Sequence, residues 1–432
     1  MRSLSNIWNY VNINLKKAFE RGFSYIFLSS ILNKIFVLFS NIMLARLLPQ
    51  EEYGYFSYAY NIISVVIIFS SLGMDLALLQ FCCEDRKEEE KRGLEKYVMI
   101  AGMITNIVCA IILLVISYLA TLSVPAARPV LMSLSLILPL PFLLNYCTVL
   151  LRVRFENKKY SLLTNIFSLS YLIFLLICVI PFGLKGAVVS RYLGYVIPVI
   201  AGFLYLKKIM PDIWHSKFPR RSLIRSLMLY GGTITVTNAV SQLLYYIDIY
   251  IVGLVTADGI TIACYKTATI IPNALAALPV VVVTFIYPYF ARNKDNYQWI
   301  ARNTKRIQMM LLPICVIIAV IMYLFAPQII TVLFGKKYIA SLIPFRILLG
   351  SFVVSAPFRV ITGNIIAMVG KVRVNLYIGL ISCSLNVILD FFLIKIWGSA
   401  GAAVATTLIV VLSAILSNIY LYFIFKNKRK KI

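Results

Sequence analysis

The chain is built from long apolar stretches joined by short polar links, and no water-soluble fold accommodates that pattern. A helix crosses about 30 Å of hydrocarbon with roughly 20 apolar residues. Twelve runs of that order are read from the sequence, at roughly 23–47, 55–80, 97–122, 130–151, 161–182, 187–206, 229–255, 260–290, 307–326, 341–369, 374–395 and 401–425. A membrane barrel needs alternating segments of about ten residues, and these runs are continuous. Charged residues make up 13% of the 432, against about 25% in a soluble domain. The expectation is an all-α membrane protein of about twelve transmembrane helices.

Lysine and arginine set the orientation, because cytoplasmic links retain them. The segments 1–22, 81–96, 152–160, 207–228, 291–306, 370–373 and 426–432 hold 31 of the 42 basic residues. The segments on the opposite side hold 4. Both termini are therefore expected in the cytoplasm, with an even number of spans. The formal charge of +26 is explained by these anchors. Nucleic-acid binders gather basic residues on one water-exposed face, so that function class is excluded. Residues 1–22, with Trp8 and Tyr10, read as an interfacial helix, and the tail 426–432 reads as a basic cytoplasmic anchor facing anionic lipid.

The sequence also repeats itself. Pro181-Phe-Gly-Leu-Lys-Gly-Ala-Val-Val matches Ile396-Trp-Gly-Ser-Ala-Gly-Ala-Ala-Val at an offset of 215, and Leu47 and Tyr58 match Leu254 and Tyr265 at 207. Six spans on each side of the link 207–228 predict two lobes, 23–206 and 229–425. Both lobes begin inside, so they form a parallel repeat of the kind that commonly rocks about a central site.

No soluble catalytic motif is present: there is no GxGxxG, P-loop, GxSxG or HExxH. The eight cysteines form no CxxC pair, and the one histidine, His215, lies in a cytoplasmic link, so no zinc or other metal centre is expected. The informative residues are ionised groups inside spans. A charge near the bilayer centre costs about 2.5–3.5 kcal/mol on insertion scales and persists where water, a partner or a ligand meets it. Lys34 is mid-span, with Ser30 and Asn41 on its helix face. Arg359 is also mid-span, and Lys266 is six residues into its span. Asp75, Asp248 and Asp390 lie nearer to span ends and are candidates for proton or Na⁺ coupling, or for neutralising a neighbouring cation. Ser, Thr and Asn stripes accompany these charges, among them Asn386 beside Asp390. Each such residue alone is ordinary interhelical glue; the set points to a shared water-filled cavity. Pro272, Pro279 and Pro288 predict a curved or hinged eighth span, and Pro139 and Pro141 a similar bend in the fourth.

Ala45-Arg-Leu-Leu-Pro-Gln-Glu-Glu-Tyr-Gly-Tyr-Phe, Ile247-Asp-Ile-Tyr-Ile-Val-Gly and Gly398-Ser-Ala-Gly-Ala-Ala-Val-Ala-Thr together resemble the bacterial polysaccharide flippases of O-antigen and capsule repeat units. These share a superfamily with multidrug extruders and lipid II flippases. The resemblance implies two six-helix lobes around a central cavity, in the bacterial cytoplasmic membrane. It implies flipping of an undecaprenyl-diphosphate-linked oligosaccharide from the inner to the outer leaflet by alternating access. It implies a diphosphate contact by cations on helices 1 and 8, which here carry Lys34 and Lys266. Arg359 joins them on charge. No enzyme activity and no cofactor are expected beyond a coupling H⁺ or Na⁺. The expected partners are the lipid-linked oligosaccharide, membrane lipids and envelope-assembly proteins such as a polysaccharide polymerase. The rival readings are a cation-coupled multidrug exporter, a membrane-bound polysaccharide polymerase or ligase, and a scaffold without transport.

Overall fold

A computed structural model describes residues 23–293 and 296–429. The expected interfacial helix at 1–22 and the end of the basic tail lie outside the described residues. Helices dominate the described residues and no strand occurs among them. In order they are α1 (Phe23–Leu47), α2 (Gln50–Ser70), α3 (Met74–Cys83), α4 (Glu88–Leu119), α5 (Arg128–Ser135), α6 (Pro139–Val153), α7 (Asn157–Leu206), α8 (Met210–His215), α9 (Arg221–Thr256), α10 (Gly259–Leu275), α11 (Ala277–Arg292), α12 (Tyr297–Leu324), α13 (Ala326–Leu333), α14 (Leu342–Val354), α15 (Ile361–Met368), α16 (Val372–Trp397) and α17 (Ser399–Arg429).

Nine helical stretches among the described residues are long and apolar enough to cross a membrane, and α5 with α6 makes a tenth, bent by 45°. The 50-residue α7 breaks at Gly183 (φ 53°, ψ −128°). Within the 36-residue α9, the segment Tyr246–Thr256 is a shorter apolar helix. The prolines act where the sequence placed them. Pro139 and Pro141 follow the α5–α6 bend, and the eighth span divides into α10 and α11 around Ala276. Span two also breaks, into α2 and α3, at Leu72 and Gly73, both with positive φ.

The repeat has a backbone counterpart. Gly398, between α16 and α17, has φ 54° and ψ −130°, the same conformation as Gly183, 215 residues earlier. Side chains with a Cβ hardly adopt it. Each turn is followed three residues later by a second glycine against the preceding helix. A Cβ on Gly186 would stand 2.0 Å from the Cys178 carbonyl oxygen, and one on Gly401 2.1 Å from that of Leu393.

The chain divides into two compact units. The first comprises Met1–Asn41, Val66–Ile116 and Met132–Thr235. Within it, Lys96 donates to the carbonyls of Trp214 (2.7 Å) and Ser216 (2.9 Å), tying the start of α4 to the link after α7. The second comprises Ile42–Val65, Ser117–Leu131 and Val236–Ile432. Its interior includes a cluster formed by Phe290, Ile300, Ile361, Ile365, Ile366 and Leu421.

Candidate functional site

The second unit encloses an acidic cluster. Asp248 on α9 and Asp390 on α16 are both buried, and Asn386 lies one turn before Asp390 on the same helix face. Asn386 Nδ2 donates to Asp248 Oδ1 at 2.7 Å and to Asp390 Oδ2 at 2.8 Å. Asp248 Oδ2 accepts from the Tyr265 hydroxyl of α10 at 2.5 Å and from Thr406 Oγ1 of α17 at 2.7 Å. Four helices thus converge on one carboxylate. Asp390 Oδ1 is buried and has no hydrogen-bond partner. No lysine or arginine forms an ion pair with either acid among the described residues. Removing an ion from water costs several kcal/mol unless something compensates, and here the protein supplies only neutral donors.

Sequence reasoning picked out Asp248, Asp390 and Asn386 but assigned no role here to Tyr265 or Thr406. Tyr265 was visible only as the repeat counterpart of Tyr58, and Thr406 only as the end of the Gly398 motif. Asp75 belongs to the first unit. It opens α3, is buried, and accepts from Ser71 Oγ at 3.2 Å.

The intramembrane cations are placed differently. On α1, Ser29 donates to the Ser161 carbonyl (2.8 Å), and Asn33 donates to the Thr164 carbonyl (3.0 Å) and Ser168 Oγ (3.1 Å). That polar stripe packs α1 against α7. Lys34 stands on the neighbouring stripe and is exposed. Arg359 is half-buried in a π-helical turn, Ser355–Val360, between α14 and α15. Neither Lys34 nor Arg359 has a hydrogen bond, ion pair or ring contact among the described residues. Lys266 is half-buried on α10, beside the acid-bound Tyr265.

Residues 19–294, more than half of the chain, match the family described as polysaccharide biosynthesis protein. A membrane protein of Methanocaldococcus jannaschii is 24% identical over 91% of this chain and 82% of its own length. A protein of Shigella flexneri named as a putative O-antigen transporter is 26% identical over 44% of this chain and 46% of its own length. Among solved structures, the inward closed conformation of the lipid II flippase MurJ superposes with a TM-score of 0.76 at 16% identity, covering 92% of this chain and 87% of that one. An inward-facing multidrug-resistance MATE transporter of the MOP superfamily gives 0.73 at 15% identity, covering 92% and 96%. The chain is a multi-pass membrane protein with the fold of these transporters, and by its family match it belongs to the polysaccharide biosynthesis protein family.

Proposed function

We propose that the chain flips an undecaprenyl-diphosphate-linked oligosaccharide, a repeat unit of O-antigen, capsule or exopolysaccharide, from the inner to the outer leaflet of the bacterial cytoplasmic membrane. Two six-helix lobes, 23–206 and 229–425, would alternate access across the link 207–228, with both termini in the cytoplasm. Lys34, Lys266 and Arg359 bind the diphosphate, and Asp248 and Asp390 couple the cycle to H⁺ or Na⁺. The observation that carries this reading is that Lys34 and Arg359 lie within apolar spans without a counter-charge among the described residues. A diphosphate supplies that charge, and attraction strengthens as water is excluded. Multidrug export needs carboxylates that an organic cation can reach, whereas Asp248 and Asp390 are enclosed by protein.

The test is flipping in proteoliposomes loaded with an undecaprenyl-diphosphate-linked oligosaccharide, with the sugar reaching the far leaflet read by an impermeant glycosidase. The expected result is loss of flipping in Lys34→Gln and Arg359→Gln at unchanged protein incorporation. Unchanged flipping in both variants overturns the diphosphate assignment.

A further inference from the structure

The segment Leu342–Met368 is helical but not α-helical throughout, because Ser355–Val360 is wound as a π turn. Pro357 lies inside it. Proline has no N–H for the α-helical bond, and its ring crowds the carbonyl one turn back. The helix accommodates this by widening locally to i→i+5 bonding. The extra residue rotates everything before the bulge against everything after it by about 100°, one residue's share of an α-helical turn. Presence or absence of the bulge therefore decides which way Arg359 points relative to α15.

A buried polar network holds that turn. Asn418 Nδ2 on α17 donates at 2.9 Å to the carbonyl of Phe358, inside the π turn and adjacent to Arg359. Asn418 Oδ1 accepts from Gln308 Nε2 on α12 at 2.9 Å and from Thr362 Oγ1 on α15 at 3.2 Å. Gln308 Nε2 also donates to Thr362 Oγ1 at 2.9 Å. Gln308 and Thr362 are buried. Apolar side chains would fill this space at lower desolvation cost. What the triad adds is direction: three helices fix one amide, and the amide fixes one carbonyl of the bulge.

We propose that Asn418, oriented by Gln308 and Thr362, is a positioning residue that locks the π turn and so aims the Arg359 guanidinium at an anionic diphosphate headgroup. This rests on the reading of Arg359 as a substrate cation. Arg359 touches the ligand; Asn418 acts only through it.

The experiment is a double-mutant cycle on the full chain in nanodiscs, with farnesyl diphosphate as the probe, farnesol as the uncharged control, and calorimetric titration as the readout. Arg359→Gln is expected to weaken diphosphate binding about tenfold, the loss of one charge-assisted contact. Asn418→Leu is expected to weaken it about fivefold in the parent and not at all in the Arg359→Gln background, because the two act as one unit. Farnesol binding stays constant throughout. Where Asn418→Leu fails to fold, Thr362→Val takes its place with the same non-additivity expected. Equal weakening by Asn418→Leu in both backgrounds, or none in the parent, overturns the positioning role while leaving Arg359 as a ligand contact. Unchanged binding in Arg359→Gln overturns the reading of Arg359 itself, and that single variant reports it separately.

Discussion

Asn386 and Asp248 meet across α16 and α9, with the amide nitrogen 2.7 Å from the carboxylate oxygen. The same nitrogen donates to Asp390, so one neutral group is shared by two acids that lack a basic partner among the described residues. A cation seated there binds the folded protein and not the unfolded chain. Stability should rise by about 2.7 kcal/mol when Na⁺ stands a hundredfold above its dissociation constant. Unfolding of the purified protein in Na⁺ and in choline buffers measures this. Asp390→Asn should abolish the difference, and Asp75→Asn should keep it.

The acids themselves were legible in the sequence because lipid penalises charge, so an aspartate inside an apolar run stands out. That Asp248 and Asp390 converge was not legible. Helical periodicity reveals which residues share a face, not which helices become neighbours. Tyr265 and Thr406 were harder still, since Tyr and Thr are common in membrane helices. On α-helical spacing Ser351, Ser355, Arg359 and Thr362 share one face, and the π turn Ser355–Val360 breaks that register; Pro357 signals a disturbance inside the span 341–369 but not its form. On α1, Ser30 and Lys34 were legible as one stripe, while the packing stripe is Ser29 and Asn33, one residue over.

The matching turns at Gly183 and Gly398 make a paired prediction. Their shared conformation is one that only glycine adopts freely, and forcing a Cβ into it costs about 1–3 kcal/mol. Gly183→Ala and Gly398→Ala should therefore lower stability by similar amounts, measured by thermal unfolding in detergent. A large loss at one and none at the other would contradict equivalent turns in the two halves.

Glu95 and Arg154 form an ion pair at 2.9 Å, with the Glu95 side chain 2% exposed and that of Arg154 22%. Removing the cation strands a buried carboxylate. Arg154→Leu should cost about 3–5 kcal/mol, and adding Glu95→Leu should recover much of that loss, because the penalty lies in the unpaired charge. Chemical denaturation of the two variants checks this.

Gly54 at the start of α2 approaches Gly259 so closely that a Cβ on Gly54 would lie 1.9 Å from the Gly259 carbonyl oxygen. Nearby, the Tyr338 hydroxyl donates to the Ala45 carbonyl at 3.0 Å, and Gln50 Nε2 donates to the buried Cys264 sulfur at 3.1 Å. Gly54→Leu cannot be absorbed without moving α2 from α10, an overpacking cost of about 1–3 kcal/mol. Cys264 should then become reactive to an impermeant maleimide in a background where the other cysteines are replaced. An inert Cys264 would show that the two helices hold together by other means.

Asp258 caps α10, accepting from the backbone N–H groups of Ile260 (3.0 Å) and Thr261 (2.8 Å) and from the Thr261 hydroxyl (2.6 Å). Partial burial opposes the charge, but these donors outweigh it and hold the carboxyl below its ordinary value. A depressed carboxylate contributes fully above its unfolded-state titration, and the contribution fades as pH falls through the folded one. Asp258→Ala should cost about 1 kcal/mol at neutral pH, the usual worth of an N-cap. Asp258→Asn retains an accepting oxygen and should cost less. The gap between parent and Asp258→Ala should close as the buffer is acidified below about pH 4, so unfolding midpoints that stay equally far apart at acid pH would assign the effect to packing instead of the cap's charge.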